Sequence, residues 1–511
     1  MAAAVTALCA LIACPYCYFA ARHGRRHAEL LMALVTVPYL TSILIRSYAW
    51  VAILGNHGPV NRALLALGVT EAPVALVFNT FGSYLGTVHV LLPMIALPLY
   101  AGMRRISPAL LQAGRGLGGS PAAVFATVFL PLSLPGLGAG AALVFLSALG
   151  FYITPALLGA PGDYLLAQAI EVRVSTLGEF DVAAALSCLL LLLATSGGLL
   201  LARRRIAPFD GDGSARPTVA GAAGLRRRRL ATLRWPRAAE PLAACAAQAL
   251  ASSAGPLLGG YAGVLLAVLL APMAVVVALA FSSAPYLTFP PPGYALRWFR
   301  TLAADGAWLA SAGFSLWIAL AAAVTALAAG TPLAFALARG RHAARRGLWL
   351  LAVSPMILPH IVIGLGMFFC AVALGINGRP ASFWLAYAVI GLPYVVIILL
   401  PALERLDGDL ERAAASLGAS PAAVLRTVTL PLLAVSLASA LLFAFLAGFD
   451  DLIIGLFLSS PKATTLAVRM WEDISMEISP KTAVVGTLQL VVVLGVMAAS
   501  WAARKVGKSL R

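Results

Sequence analysis

Three short stretches carry the residue types from which chemistry could be built. Cys14-Pro15-Tyr16-Cys17 has the spacing of a thiol–disulfide centre, which works where a helix start lowers a thiol pKa. Here it lies inside an apolar run, so the reading is packing of two small side chains, with a membrane thiol-redox enzyme using Cys14 and Cys17 as the rival class. Gly507-Lys508-Ser509 ends like a phosphate-binding loop, but Ala502 stands where the first glycine is required and no strand precedes it. A cationic tail after a last helix is the reading. Asp450-Asp451, in GFDDLIIG, places two carboxylates in an otherwise uncharged run. Cys9, Cys188, Cys245 and Cys370 and the six histidines show no metal-ligand spacing, so no metal, cofactor or catalytic residue is expected in this chain.

The elements that must hold these residues follow from composition. With 61% hydrophobic and 11% charged residues over 511 positions and a mean hydropathy of +0.94, the chain cannot present a water-soluble surface. Uncharged runs such as 183–202 and 264–281 meet the roughly 20 residues a helix needs to cross a ~30 Å hydrocarbon core. Lipid offers backbone groups no water, and the ~10-residue alternating strands of a barrel are absent, so an all-α polytopic protein is expected. Helices are placed at about 1–21, 29–54, 74–103, 136–158, 182–202, 257–281, 308–338, 348–374, 381–403, 435–458 and 482–502, eleven in all.

The formal charge of +17 is a topology signal rather than a nucleic-acid footprint. Arg22, Arg25 and Arg26, Arg104, Arg105 and Arg115, the arginines of 203–256, those from Arg339 to Arg346, Arg405, Arg412 and Arg426, and the C-terminal cations make 27 of the 36 Lys and Arg residues, and all fall on one side of the predicted spans. That side is the cytoplasm. The four arginines at 226–229 fit a retention signal or lipid headgroups better than RNA.

One phrase is written twice. LGGSPAAVFATVFLP at 117–131 and LGASPAAVLRTVTLP at 417–431 differ only at 119, 125, 126 and 129. Both fall in cytoplasmic connections, where sequence ordinarily drifts fastest, so a shared partner is a better reason for their likeness than a neutral duplication. Each reads as a helix, a break at Gly118 or Gly418, and a second helix started by Ser-Pro, serine capping free N–H groups and proline suiting the first helical position. The second helix is expected to stop at Leu130-Pro131 and Leu430-Pro431.

These loops resemble the cytoplasmic motif of binding-protein-dependent ABC importer permeases: Glu-Ala-Ala, three residues, Gly, nine residues, an aliphatic, one residue, Leu-Pro. Ala413, Ala414, Gly418, Val428, Leu430 and Pro431 hold that spacing, as do Ala113, Gly118, Val128, Leu130 and Pro131. The chain departs at the acid, where Gln112 and Arg412 stand, and at Gly114; Glu411 comes one residue early. The resemblance implies that each loop docks on one ATPase domain, that ATP is used by those partner subunits, and that an extracytoplasmic solute-binding protein delivers the substrate. Arg115 and Arg412 then either meet acidic groups of the ATPase or are solvated. SILIRSYAWVAILG, NRALLALGV and LLPMIALPLYAGM resemble one permease of spermidine/putrescine-type systems; GFDDLIIGLFLSSP and TLAVRMWEDI resemble its partner.

The organisation expected is therefore two fused permease halves in a bacterial inner membrane, 1–202 with five helices and 257–511 with six, joined by a basic linker at 203–256. The first half lacks the counterpart of helix 257–281, which implies an outside N-terminus or a misassigned start. A helix beginning near Val435 would carry Asp450 about 22 Å into the core, at ~1.5 Å per residue, facing a pathway; a helix ending at Gly448 would leave both acids in outside water. An acid in the pathway suits a cation such as a polyamine, with Phe449 and Trp471 as aromatic surface. Arg46 argues the other way unless it pairs with an acid. Ferric ion or another organic solute are the rival substrates.

Overall fold

In the computed structural model, residues 1–203 apart from Leu40 and Pro161, 254–340, 344–476, and 479–495 apart from Val493 are described. The regular elements of these residues are helices, with two isolated bridges, Ser282 to Tyr294 and Ser460 to Ala463, as their β structure. Eight helices are long and apolar enough to cross a membrane, or ten if each of two interrupted pairs counts once. The eleventh expected span is described only as Lys481–Val492. Most of the linker, and Gly507-Lys508-Ser509, lie outside the described residues.

The duplication is kept in three dimensions with its displacement of 300. Thr80–Arg104 corresponds to Pro380–Glu404, Pro108–Gly116 to Gly408–Ser416, Pro121–Val124 to Pro421–Val424, Leu130–Leu149 to Leu430–Phe449, Ile153–Leu158 to Ile453–Leu458, and Leu166–Ser175 to Leu466–Met476. Several expected spans are broken. The segment 29–54 divides into Arg25–Tyr39 and Ile43–Leu54, and 348–374 into Arg345–Ile357 and His360–Ala373, the latter pair bent by 103°. Leu358 is extended because Pro359 follows it, which ends the first helix of that pair. The spans 136–158 and 435–458 stop at Leu149 and Phe449 and restart as Ile153–Leu158 and Ile453–Leu458.

The expected stop at Leu130-Pro131 and Leu430-Pro431 does not occur. The chain passes Phe125–Phe129 and Leu425–Thr429 in a wider π-helical turn and continues as Leu130–Leu149 and Leu430–Phe449. A proline ring clashes with the carbonyl four residues back, and the wider turn just ahead of it relieves that clash. Each loop is thus continuous with a membrane helix.

The chain packs as two compact units that do not follow the two halves: Met1–Tyr39, Thr87–Ala148 and Thr195–Ala271 form one, and Leu40–Gly86, Leu149–Ala194 and Pro272–Arg511 the other. In the first unit small residues let helices close: a Cβ on Gly140 would stand 2.7 Å from the Ile95 Cα. Cys17, wholly buried inside Ala2–Arg22, donates to the Ala96 carbonyl, and Cys9 donates to that of Val88. Cys14 and Cys17 both lie deep inside Ala2–Arg22 rather than at a helix start, the position that their redox reading needs. In the second unit Phe383, Tyr387 and Tyr48 are buried among Leu, Ile and Ala side chains.

Candidate functional site

Two sets of sequence-predicted residues are brought into defined geometry: the paired loops, and the charged groups inside the second unit. In each loop the first helix ends in a six-residue motif with a left-handed glycine. Gly118 has φ +83° and donates to Arg115 at 2.9 Å, while Gly119 donates to Gly114 at 3.1 Å. Gly418 has φ +86° and donates to Ala415 at 3.0 Å, while Ala419 donates to Ala414 at 3.2 Å. These two bonds satisfy the carbonyls that a helix end leaves free, and the positive φ favours glycine because a Cβ crowds the backbone there. Ser120 and Ser420 then cap the next helix, accepting the N–H of Ala123 and Ala423.

The helices Pro108–Gly116 and Gly408–Ser416 bury no residue; Gln112, Ala113 and Arg115, like Arg412 and Ala413, stand on an open face, and Ala414 is half-buried. Arg412 is engaged by Asp409 three residues earlier, whereas Arg115 is simply exposed. At the turn itself Leu117 and Leu417 are 88% and 89% exposed, two large apolar side chains on the loop tips. The sequence reading passed over them, although each opens the repeated phrase; bare leucines on a capped, rigid turn are what a partner surface would cover.

Behind the tips the halves are fastened differently. In the second, Arg339, at the end of Gly306–Arg339, lies 2.5 Å from a Glu411 carboxylate oxygen, and Thr429 donates to the same oxygen. Partial burial pushes the Glu411 carboxyl up, but these hydrogen bonds and the Arg339 charge outweigh it and hold the group below its ordinary value. In the first half Leu111 and Phe129 occupy the positions of Glu411 and Thr429, and Phe129 instead joins Tyr18 and Phe125 with ring centroids 5.1–5.6 Å apart. Arg22 over Tyr18 matches Arg339 over Phe335, at 5.2 and 5.0 Å. Position 104/404 reverses charge: Arg104 donates to the carbonyls of Ala21 and His23, and Glu404 pairs with Arg345 at 3.1 Å.

The interior group centres on Asp450 and Arg46. Leu430–Phe449 ends just before Asp450, whose half-buried carboxylate lies beside the Ser42 side chain and the Ile43 N–H, at the start of Ile43–Leu54, and faces Arg46, 1% exposed, one turn along. A helix N-terminus and a guanidinium are both favourable surroundings for a carboxylate. Asp451 turns the other way, its Oδ1 accepting the Ile454 N–H at 2.8 Å to start Ile453–Leu458, with His360 within charge range. Neither acid is left in outside water, and Asp450 is not a carboxylate without a counter-charge. Position 150 holds glycine where 450 holds aspartate, and Gly150 meets Pro359, a Cβ there standing 2.6 Å from the proline Cβ. Phe449 lies stacked on Phe445 at 5.3 Å.

The sequence reading missed a third carboxylate. Glu171, on Leu166–Ser175, is 8% exposed, accepts the Ser175 hydroxyl at 2.6 Å and lies beside Tyr152, whose ring lies 5.4 Å from that of Trp471. It stands one residue apart in register from the Glu472-Asp473 pair, and nothing in IEVRV marks it; its neighbours are Ser175 on its own helix and Tyr152 from the segment before it.

The family model for the inner membrane component of binding-protein-dependent transport systems matches residues 15–207 and again 330–511. The spermidine/putrescine permease PotB of Escherichia coli K12 is 33% identical over 190 residues, 37% of this chain and 69% of that protein. The putrescine permease PotI of the same organism is 34% identical over 229 residues, 43% of this chain and 81% of that protein. A crystal structure of a bacterial ABC transporter that imports alginate is similar over 53% of this chain and 98% of that one, at 16% identity and a TM-score of 0.38. The chain belongs to the inner membrane components of binding-protein-dependent transport systems, and carries that permease domain twice.

Proposed function

We propose that this permease imports a small cationic amine of the polyamine type, drawing on two ATPase domains at its paired loops and on an extracytoplasmic binding protein that delivers the substrate. The observation that carries the substrate class is the charge balance inside the second unit. Among the described residues the buried Asp, Glu, Lys and Arg side chains are Arg46, Glu171 and Asp451, and half-buried Asp450 faces Arg46. Among the buried side chains two acids stand against one cation. Charge inside a membrane protein is costly, about 2.5–3.5 kcal/mol per group on insertion scales, and marks pathways; a net negative interior attracts a cation and repels an anion. PotB and PotI, both named as polyamine permeases, are relatives at about a third identity, which supports the same reading.

The loops supply the coupling. Closure of the ATPase dimer would push on Leu117 and Leu417, and each push is passed through a left-handed turn and a π-turn into Leu130–Leu149 or Leu430–Phe449. The far end of the second of these carries Asp450 and its contacts to Ser42 and Arg46, so movement at the loop reaches the interior charges along one element. That is the lever alternating access requires.

The test is reconstitution with a partner ATPase and solute-binding protein, followed by ATP-dependent uptake of labelled putrescine and spermidine. Uptake of either amine is expected. A complex whose ATPase activity responds to the binding protein but moves neither amine would overturn the substrate, and failure of any ATPase to co-purify would overturn the coupling.

A further inference from the structure

The duplicated helices Leu166–Ser175 and Leu466–Met476 place two unlike residues at one equivalent position: Glu171 in the first half is Trp471 in the second. In the folded chain both come to Tyr152. Its hydroxyl lies beside the Glu171 carboxylate, and its ring lies 5.4 Å from that of Trp471 at an interplanar angle of 50°. We propose that Glu171, Tyr152 and Trp471 form an ammonium-binding station for the translocated amine, a proposal that rests on the cationic-amine reading above.

The argument is one of unmet charge. Glu179, Glu404, Glu411 and Glu472 each pair with an arginine. Glu171 is more buried than any of these, yet its partners are the neutral hydroxyls of Tyr152 and Ser175, and among the described residues no Lys or Arg side chain pairs with it. A buried carboxylate held only by neutral donors pays a desolvation cost that no fixed cation returns. The Ser175 hydroxyl occupies one of the roughly four lone-pair directions of the carboxylate and leaves others for N–H groups. The two neighbouring rings present negative π faces, which suit an ammonium group and its adjoining methylenes and do nothing for an anion. The duplication sharpens the point: an ancestral equivalent pair has diverged into one acid and one ring, the two components of such a station.

The test uses the complete transport system. Amine delivered per ATP hydrolysed is measured in proteoliposomes for wild type, Glu171→Gln, Glu171→Asp, Trp471→Phe and Trp471→Leu, with putrescine and spermidine as probes. Glu171→Gln is expected to lower delivery per ATP at least tenfold while binding-protein-stimulated ATPase activity stays within twofold of wild type; Glu171→Asp should recover part of the loss, and Trp471→Phe should exceed Trp471→Leu. Wild-type delivery per ATP in Glu171→Gln, or equal delivery by Trp471→Phe and Trp471→Leu, would overturn the station while leaving amine import standing. Absence of amine uptake by the wild type would overturn the amine reading itself, and the station with it.

Discussion

The guanidinium of Arg339 lies 2.5 Å from a carboxylate oxygen of Glu411, tying the end of one membrane helix to the first helix of the second loop. Glu411 is the acid that stands one residue ahead of the motif position, and it points back into its own chain. Arg339 is 51% exposed and Glu411 17%, so the pair is screened on one side, and its net contribution is about 0.2–1 kcal/mol on the scale of exposed ion pairs.

Its pH dependence has a definite sign. The folded-state value of Glu411 is lowered, so the stabilisation is complete above the ordinary glutamate value near ~4.3 and is lost as pH falls through the lower folded value. The thermal midpoint of Glu411→Gln should lie below wild type at pH 7, with the gap closing as the pH is taken below 4.5 or the salt is raised. A gap that widens on acidification would contradict the assignment. Leu111→Gln, at the matching position of the first half, should show no such pH dependence.

Gly118 and Gly418 have open space where a side chain would go, so a substitution there meets backbone strain alone. Valine should cost ~1–2 kcal/mol at each site, the order of the left-handed penalty for residues with a Cβ. Uptake by the Gly118→Val, Gly418→Val double mutant is expected to fall severalfold with normal membrane insertion, and asparagine, which tolerates that region, should do less harm. Full uptake by the valine double mutant would remove the turns from the coupling path.

Leu117 and Leu417 should behave as anchors. Changing both to Asp removes two exposed apolar groups and is expected to lower co-purification of the ATPase at least tenfold, within the ~2 kcal/mol or more of a typical anchor residue. Because neither side chain is packed in the permease, its own thermal midpoint should stay within a degree or two.

Asp450→Asn should lower the thermal midpoint, since it removes a carboxylate charge that faces the buried Arg46. Asp450→Asn combined with Arg46→Met should restore most of that loss. If the single change lowers uptake but leaves the midpoint untouched, Asp450 acts on substrate rather than on Arg46.

Composition and periodicity were enough to establish an all-α membrane protein, because the need to satisfy backbone groups in lipid leaves few options for so apolar a chain. The duplicated phrase located the loops, and its glycines and serines announced the left-handed turns and caps, since both depend on residues a few positions apart. What local sequence could not show was where the apolar runs break. Pro359 and the acids at 450–451 interrupt spans that hydropathy reads as continuous, and the π-turns before Pro131 and Pro431 carry helices past a predicted stop. Only tertiary structure decided the charge pairing. Ser42 and Arg46 meet Asp450 across some 400 residues, Arg339 meets Glu411 across 72, and Tyr152 stands between Glu171 and Trp471. Such pairings are set by which helices pack together in the folded chain, and that is written in the shapes of their buried faces rather than in the spacing of the charged residues themselves.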